Sequence, residues 1–559
     1  MTEKAWRKRP APPIGFAREL GLPPFQAHLL YARGIRTPDE QDAFLRADAG
    51  LAHNPSLLPD MEKAVARVRK ALDARETIGV FGDFDTDGIS GTALIVQALR
   101  DLGANVVSYL PHRTDEGHGL NIEAVETLRS HGVSLLITVD CGVSSYREVE
   151  SARGCGIDTI ITDHHTLPVE PPRATAIIHP LWTGSRYPFM GLTGAGLAYK
   201  LAEALYADLG RPRPDHLMEL AALGTVSDLG PLTGENRYIV RRGLESLNST
   251  QHMGLRALIE RAGLKLGSLD SESLSFQIIP RLNAAGRLGD AMLSLDLLTA
   301  SKAEIAVSIA ERLERQNQER KLLAESSIAD ARRQVETGAG LPPIIIVEKQ
   351  DWLPGILGLI AGNLSEMYYR PVIAVLVEEA YSRASARSIP EFNIVDALGA
   401  SKGLFSRYGG HPQAAGFALP TRDLPQLKAE LLALAHGKLR HAQLSPAVDV
   451  DCEITPALLT DKNLEFIQRM QPFGEGNPQP VFLTRYARVL DARKVGQRQD
   501  HLKMRLSHDG ATWDAIAFRQ GNRPVVPGNV VDVVYTAGLN TWNGHTSLQL
   551  NVQDFKVVR

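Results

Sequence analysis

The chain has 559 residues, of which 44% are hydrophobic and 22% are charged, and its formal net charge at pH 7 is −3. This length exceeds one ordinary hydrophobic core, so we expect several globular domains rather than a disordered or fibrous chain. The weak negative charge excludes a protein that attracts nucleic acid by its bulk charge. A polyanionic partner would need a local basic groove or bound cations.

Cysteine usage and the N-terminal sequence indicate the compartment. Only three cysteines occur, Cys141, Cys155 and Cys452, and they form no CxxC pair. This argues against a disulfide framework or a zinc site and favours a reducing compartment. The first ten residues are charged without an apolar signal segment, and no run reaches the ~18 apolar residues of a membrane span. We therefore expect a cytoplasmic protein with no membrane association.

Residues 1–75 have a helical, proline-interrupted pattern without recognisable chemistry, and we interpret them as a packing element. From residue 77 onward, short apolar runs alternate with amphipathic stretches, which is typical of a mostly parallel sheet with helices on both faces. Ligands of such sheets gather at the carboxyl ends of the strands. The five predicted strands are Thr77 to Phe81, Asn105 to Leu110, Ser134 to Val139, Thr159 to Thr162 and Ala176 to Ile178.

Three aspartates, Asp83, Asp85 and Asp87, follow the first predicted strand at alternate positions. Alternate residues of an extended segment point the same way, so these carboxylates are expected to converge just past the strand. Converging anions repel one another unless a cation lies between them, and an oxygen-rich site suits Mg²⁺ or Mn²⁺. Taken alone, the stretch is equally compatible with a solvated acidic turn or a helix N-cap.

Further acidic and imidazole groups follow other apolar runs. Asp140 follows the predicted strand ending at residue 139, the run Asp163-His164-His165 follows the strand ending at residue 162, and Asp228 ends an apolar run over residues 223–227. A lone aspartate in such a place usually caps a helix, and a histidine pair is usually a surface or core feature. Four such clusters at predicted strand ends of one sheet are better explained by a shared metal site.

These four segments resemble the ordered motifs of the DHH phosphoesterases. The matching stretches are Asp83-Phe84-Asp85-Thr86-Asp87-Gly88, Thr138-Val139-Asp140-Cys141-Gly142, Asp163-His164-His165 and Gly224-Thr225-Val226-Ser227-Asp228. These motifs alone leave nanoRNases, pyrophosphatases and exonucleases open. Three more segments, at residues 280–287, 409–416 and 472–478, are similar to the RecJ family of bacterial single-strand-specific 5′→3′ exonucleases, in matching order along nearly the whole chain.

The pattern and the resemblance together predict an α/β fold class, with two α/β lobes joined by a long helix and followed by a C-terminal β-barrel of the OB-fold type. No Gly or Pro occurs between residues 291 and 336, which favours the long helix, and about five short alternating runs after residue 447 favour the barrel. The predicted domains are a helical segment (1–75), a DHH catalytic domain (76–290), the connecting helix (291–338), a DHHA1 domain (339–440) and a single-strand-binding OB-fold (445–559).

The resemblance implies two divalent cations, Mn²⁺ or Mg²⁺, and assigns roles to residues of this chain. The implied metal ligands are Asp83, Asp85, Asp87, Asp140, His164 and Asp228, with Asp83 alternatively orienting a ligand. Asp163 would orient a histidine, and His165 would position or protonate the scissile phosphate. The expected phosphate-binding residues are Arg281, Asn283, Arg287, Arg387, Gly409, Gly410 and His411, with Arg281 and Arg287 flanking a predicted small-residue turn. Candidate single-strand contacts in the barrel are Phe473, Lys503 and Trp542.

The implied activity is processive 5′→3′ hydrolysis of single-stranded DNA to mononucleotides, in DNA repair and recombination. Single-stranded DNA, a single-stranded-DNA-binding protein and a helicase are the implied partners of a monomeric chain. A DHH phosphatase or nanoRNase acting on short substrates is one alternative, and the C-terminal barrel counts against it. A non-catalytic DNA-binding scaffold is another, and the intact acidic clusters count against it. The family pattern suggests His where this chain has Leu353, which puts any role of that side chain in doubt.

Overall fold

A computed structural model describes residues 4–113, 115–338, 340–542 and 545–558, with the side chains of residues 539–546 left outside the description. The chain divides into two compact units. Among the described residues, the first unit contains 52–230 and 235–444, and the second contains 4–51, 231–234 and 445–558. The short segment 231–234 thus belongs to the second unit although both of its flanks belong to the first.

The first unit is built on a five-stranded, entirely parallel sheet. In spatial order its strands are Asn105–Tyr109, Thr77–Gly82, Val133–Val139, Asp158–Thr162 and Ala176–Ile178. Every predicted strand of this sheet is confirmed to within one residue at each end. The inner strands are buried continuous apolar runs because helices cover both faces. The strand order reverses direction between Thr77–Gly82 and Val133–Val139, and sheets of this type bind ligands at such a point.

Helices pack around this sheet, and several of the predicted site residues lie at helix ends. The α-helices of the region longer than one turn are Met61–Asp73, Thr86–Asp101, Ile122–Ser130, Tyr146–Gly154, Gly194–Asp208, Met218–Ser227, Gly234–Leu247, Met253–Arg261, Ile279–Leu288 and Met292–Leu298. The helix Met218–Ser227 is buried on all sides, and its sequence therefore lacks helical periodicity.

Two predicted segments adopt a different structure. The run before Asp228 is the last part of the helix Met218–Ser227 rather than a strand, because a short fully buried apolar run does not distinguish the two. The region predicted as a small-residue turn is helical, with a π-helical turn over Leu274–Ile278 followed by the α-helix Ile279–Leu288. Ala284 and Ala285 are fully buried, and a Cβ at Gly286 would lie 3.0 Å from the carbonyl oxygen of Phe84, so these small residues indicate tight packing here and not a turn.

The rest of the first unit is the long helix Ala303–Glu336 and a second, mixed sheet. The strands of this sheet, in spatial order, are Arg407–His411, Ala414–Pro420, Tyr381–Arg387, Val372–Leu376 and Ile345–Lys349, and only the last two pair in parallel. Its α-helices are Leu357–Tyr368, Ile394–Ala400 and Leu424–Leu439. The predicted long helix and second α/β lobe are therefore confirmed.

The second unit is the predicted barrel together with N-terminal helices. Its main strands are Val481–Val495, His501–His508, Ala511–Ala517, Val530–Trp542 and His545–Val557. The first of these pairs with both the second and the fourth, and register shifts after residues 484 and 489 let it bend to close the barrel. One hydrophobic core joins the barrel to the helices Phe16–Glu19, Pro24–Tyr31, Pro38–Arg46 and Asp461–Arg469, and two short strands, Ala5–Lys8 and Ala447–Val450, pair in parallel.

Across the described residues, none of the helices combines the length and the hydropathy that crossing a bilayer requires.

Candidate metal centre

The turn after the first strand directs its three aspartates to different places. Asp83 lies on the turn, whereas Asp85 caps the helix Thr86–Asp101, where its Oδ1 accepts hydrogen bonds from the backbone N of Asp87 (3.0 Å) and of Gly88 (3.2 Å). Asp87 is thus in the first helical turn and not in an extended segment. The prediction that all three side chains point the same way, as alternate residues of an extended segment do, is therefore wrong for Asp87.

The Asp87 carboxylate lies at the start of a second helix. It accepts hydrogen bonds from the backbone N of Gly194 (2.7 Å) and Ala195 (2.9 Å) and from the hydroxyl of Thr193 (3.1 Å). These groups form the N-terminus of the helix Gly194–Asp208, whose dipole favours a negative charge. The buried carboxylate is therefore held in place by three donors before any cation binds.

Asp163 organises the histidine pair that follows the fourth strand of the sheet. Its Oδ1 accepts hydrogen bonds from the backbone N of His164 (2.8 Å) and His165 (3.0 Å) and lies 2.7 Å from His165 Nδ1. Its Oδ2 accepts from the backbone N of Val143 at 2.9 Å. Asp163 thus orients His165, as was predicted for a histidine, and it also fixes the backbone that carries His164.

His164 lies at the centre of three aspartates that come from separate segments of the chain. Its Nε2 is 3.0 Å from Asp140 Oδ1, 3.6 Å from Asp228 Oδ2 and 4.0 Å from Asp87 Oδ2. Asp140 directly follows the strand Val133–Val139 and has a left-handed backbone conformation with φ of 61°. The strand ends and the two helices therefore bring together four of the six residues predicted as metal ligands.

Among the described residues, three overlapping groups have ligand atoms within 4.8 Å of one another. The groups are Asp83 with Asp85 and Asp140; Asp87 with His164 and Asp228; and Asp140 with His164 and His165. Because Asp140 and His164 recur, the groups form one continuous cluster and not separate acidic patches. The cluster lies at the point where the strand order of the parallel sheet reverses.

The electrostatics of the cluster favour a bound cation. Burial, together with neighbouring carboxylates, raises the pKa of Asp87 and of Asp140 well above the usual range and raises that of Asp228 to about 7. Burial and the nearby His165 lower the pKa of His164 to about 3, so its imidazole is neutral and has a lone pair on one ring nitrogen. Crowded carboxylates beside a neutral imidazole are the donor set that a hard divalent cation takes. The residues present therefore fit such a cation.

Two glycines, Gly194 and Gly224, make room for these carboxylates because they have no side chain. A Cβ at Gly194 would lie 2.4 Å from Asp140 Cβ, and a Cβ at Gly224 would lie 2.3 Å from Asp87 Oδ1 and 2.4 Å from Ala195 Cβ. Neither glycine was among the predicted site residues. Gly224 opens one of the recognised motifs, whereas Gly194 had no pattern in the sequence that indicates its role.

Arginines gather beside the carboxylates. Arg287 is partly buried, and its Nη1 donates to the carbonyl of Gly355 at 2.9 Å. Burial and the nearby Arg113 and Arg387 lower the pKa of Arg287 to about 9. The Arg113 guanidinium carbon lies 4.1 Å from the centre of the Phe84 ring. Burial lowers the pKa of Arg113, and the charges of Asp83 and Asp85, which raise it, only partly offset this effect. Such a concentration of partly desolvated positive charge suits a phosphate group.

Two residues predicted to bind phosphate have other contacts. Arg281 forms an ion pair through Nε with Glu314 (2.5 Å) and donates from Nη1 to the carbonyl of Gln277 (2.5 Å). The side-chain oxygen of Asn283 accepts a hydrogen bond from the backbone N of Thr86 at 3.0 Å. The first residue therefore braces the long helix, and the second supports the aspartate turn.

A group of histidines extends from the cluster towards the second sheet. The His165 ring centre is 5.3 Å from that of His118 and 6.4 Å from that of His411. His118 was not predicted, and its Nδ1 lies 3.0 Å from Asp83 Oδ1. The predicted Gly409 and Gly410 precede His411 on an exposed strand, and Gly410 has φ of 142°, which only glycine adopts readily.

Three protein-family models match successive parts of this chain. Family models match residues 77–225 (DHH family, N-terminal domain), 342–437 (DHHA1 domain) and 450–554 (RecJ OB domain). The single-stranded-DNA-specific exonuclease RecJ of Bacillus subtilis (strain 168) is 35% identical over 543 residues, which cover 96% of this chain and 69% of that protein. The chain belongs to the RecJ family.

Solved structures of this family support the assignment. The crystal structure of RecJ from Thermus thermophilus in complex with Mn²⁺ has a TM-score of 0.86 at 31% identity, covering 99% of this chain and 80% of that one. The structure of the same protein with Mg²⁺ has a TM-score of 0.80 at 31% identity, with 99% and 79% covered. RecJ-family members thus combine this fold with the cation types that suit the cluster.

The predicted strand-binding residues of the RecJ-type barrel have mixed surroundings. Phe473 packs in part against the hydrophobic core of the second unit. Lys503 is partly exposed, and its Nζ lies 3.6 Å from Asp514 Oδ2. The Trp542 side chain lies outside the described residues. Leu353, where the RecJ pattern suggests His, is 41% exposed at the start of a short 3₁₀ helix.

We predict that Gly224→Ala lowers the affinity of the chain for Mn²⁺ by about tenfold or more, because the added methyl group displaces the Asp87 carboxylate. Isothermal titration calorimetry measures the affinity, and circular dichroism checks the fold. Gly154→Ala is the matched control, because a Cβ at Gly154 meets no atom within 4 Å. Equal Mn²⁺ affinities for the two variants would contradict the prediction.

Proposed function

We propose that the chain is a single-stranded-DNA-specific exonuclease that uses two divalent cations, Mn²⁺ or Mg²⁺. It degrades the strand processively from the 5′ end to mononucleotides, in DNA repair and recombination. The proposal depends mainly on one observation: in the first unit, the carboxylate–histidine cluster lies beside an arginine group, which consists of Arg113, Arg287 and Arg387. Family membership over nearly the whole chain supports the choice of substrate.

The six predicted ligands hold the cations in this proposal: Asp83, Asp85, Asp87, Asp140, His164 and Asp228. When bound, the cations supply Lewis-acid stabilisation of the charge that develops on the phosphoryl oxygens and make a nearby water more acidic. The neutral His164 imidazole and the preorganised Asp87 carboxylate require little rearrangement to act as ligands.

Asp163 and His165 form the proposed proton-handling pair. Burial alone would lower the pKa of His165, but its hydrogen bond to Asp163 and the charge of that carboxylate raise it to about 9. The imidazolium is then positioned to donate a hydrogen bond or a proton to a phosphate oxygen. The ring centre of His411, on the strand Arg407–His411, lies 6.4 Å from that of His165, so His411 would contact the same group.

The arginine group binds phosphates of the strand in this proposal. Arg113 joins the predicted Arg287 and Arg387, whose Nη1 already donates to the carbonyl of Ala386 at 2.8 Å. Arg281 acts through its ion pair with the long helix, and Asn283 acts by holding the aspartate turn. Selectivity for single strands would come from the barrel and from a gap too narrow for a duplex.

A cytoplasmic location is part of the proposal, and the three cysteines, all free of disulfides, support a reducing compartment. A single-stranded-DNA-binding protein and a helicase as partners, and a monomeric state, stay predictions. The phosphatase or nanoRNase alternative predicts cleavage confined to short oligonucleotides, which the first experiment below distinguishes.

We expect the chain with Mn²⁺ to release mononucleotides stepwise from the 5′ end of labelled single-stranded DNA. EDTA should abolish the reaction, and Asp140→Ala should lower kcat/KM by about a thousandfold or more, because it removes a ligand shared by two groups of the cluster. Gel electrophoresis of end-labelled substrates of several lengths follows the products.

Asp158→Ala is the control, because Asp158 lies at the opposite end of the neighbouring strand and is half exposed. Binding without cleavage by the wild-type chain would contradict the proposal, and so would cleavage of short oligonucleotides alone.

A second expected result concerns Arg113. Arg113→Gln should raise KM for single-stranded DNA by about tenfold, since a hydrogen bond to a charged group contributes about 1.5–3 kcal/mol, while kcat changes little. Steady-state kinetics on fluorescent oligonucleotides measures both parameters, with Arg100→Gln as an exposed control on the helix Thr86–Asp101. An unchanged KM would remove Arg113 from the phosphate site.

A further inference from the structure

The segment 231–234 follows Asp228 of the carboxylate–histidine cluster closely in the chain and belongs to the second unit. The helix Met218–Ser227 ends at Asp228, and the chain then enters the second unit for four residues before it returns. Within that unit Leu232 is buried at 2% exposure, and its backbone N donates to the carbonyl of Glu475 at 2.7 Å. The residues that receive it belong to Pro472–Pro478, a segment singled out in the sequence whose role the proposed activity does not explain.

Glycines in this turn make room for the segment. A Cβ at Gly474 would lie 2.7 Å from Leu232 Cδ1. Gly476 has φ of 72°, and a Cβ there would lie 3.3 Å from Thr233 Cγ2 and 3.4 Å from Pro231 Cβ. The turn is therefore shaped to hold this stretch of chain closely, which explains why glycines stand at both positions.

The turn is itself rigidly supported. Asn477 is 1% exposed, and its Nδ2 donates to the carbonyls of Met470 (2.9 Å) and Pro472 (2.8 Å). Its Oδ1 accepts from Nε of Arg33 at 3.1 Å, and Arg33 also contacts the buried Asp451 at 3.4 Å. The N-terminal helices and the barrel core thus fix the surface against which Leu232 packs.

Asp228 has little support of its own. Its carboxylate accepts no hydrogen bond from any residue that the structure describes, whereas the Asp87 carboxylate accepts three. Its position is therefore set by the backbone on either side. On the far side Leu229 has φ of 55°, and the backbone N of Gly230 closes the helix by donating to Thr225 O at 2.9 Å. Two residues separate Asp228 from Pro231, a reach of at most about 11 Å.

We propose that Pro472–Pro478 is a clasp that positions Asp228 through residues 231–234, so that the second unit supports cation binding in the first. Leu232, Gly474 and Gly476 are positioning residues in this account. The inference rests on the proposed function in one respect, the assignment of Asp228 as a metal ligand. It adds a role for the second unit that is separate from binding the DNA strand.

The test is an insertion of two glycines between Gly230 and Pro231 in the full chain, which loosens the link and leaves the clasp intact. Calorimetry should show Mn²⁺ binding weakened by about tenfold at one site. Anisotropy in EDTA should show unchanged affinity for single-stranded DNA, and the melting temperature should be unchanged. Nuclease activity should fall at limiting Mn²⁺ and recover as Mn²⁺ is raised, which a general loss of folding would not produce.

Matched controls separate the link from general damage. The same insertion between the exposed Arg211 and Pro212 should leave Mn²⁺ binding unchanged. Leu232→Ala should weaken Mn²⁺ binding, whereas Leu550→Ala, which truncates another buried leucine of the second unit, should not. Leu232→Val and Leu550→Val provide the milder pair if the alanine variants do not fold.

Unchanged Mn²⁺ binding in the 230–231 insertion variant would overturn the clasp, and so would equal losses in the two leucine variants. A wild-type chain that binds Mn²⁺ but cleaves no DNA would refute the proposed function alone, because this test reads metal binding directly.

Discussion

Mutual repulsion among crowded carboxylates is the constraint on which the rest of the structure depends. The carboxylates of the buried Asp87 and Asp140 and of the more exposed Asp228 all lie within 4.0 Å of His164 Nε2. Burial and the like charges of neighbouring carboxylates raise the pKa of Asp87 and of Asp140. A fold holds such a cluster by satisfying individual carboxylates with fixed donors and by leaving room for a cation to neutralise the remainder. Both features are present, and they explain why helix starts, strand ends and glycines all meet here.

The proposed metal ligands differ in how the fold holds their side chains. Asp87 is preorganised by the N-terminus of a helix, and the histidine pair is preorganised by Asp163. Asp228 depends instead on its backbone, which continues into the second unit. In our proposal this arrangement makes Asp228 responsive to the second unit, whereas Asp87 and the histidine pair are held by donors within the first unit.

Strand ends made much of the site predictable, because a buried strand is recognisable from its apolar run and its carboxyl end is where ligands gather. Asp140 and Asp163 were placed in this way. Asp228 was identified as a ligand candidate although its segment is helical, since a buried apolar run has no periodicity to separate helix from strand. Arg113 lies in a loop without a pattern, and Gly194 matters through its contact with Asp140, 54 positions away in sequence. Contacts of that kind arise from tertiary packing, which a single sequence does not display.

We propose that this cluster binds two divalent cations. Crystals of the full chain grown with Mn²⁺, with anomalous scattering recorded at the manganese edge, test it most directly. We expect two anomalous peaks about 3.5–4 Å apart, with the carboxylate of Asp140 or of Asp228 within reach of both. Peaks elsewhere, or none within reach of Asp140 and His164, would contradict it.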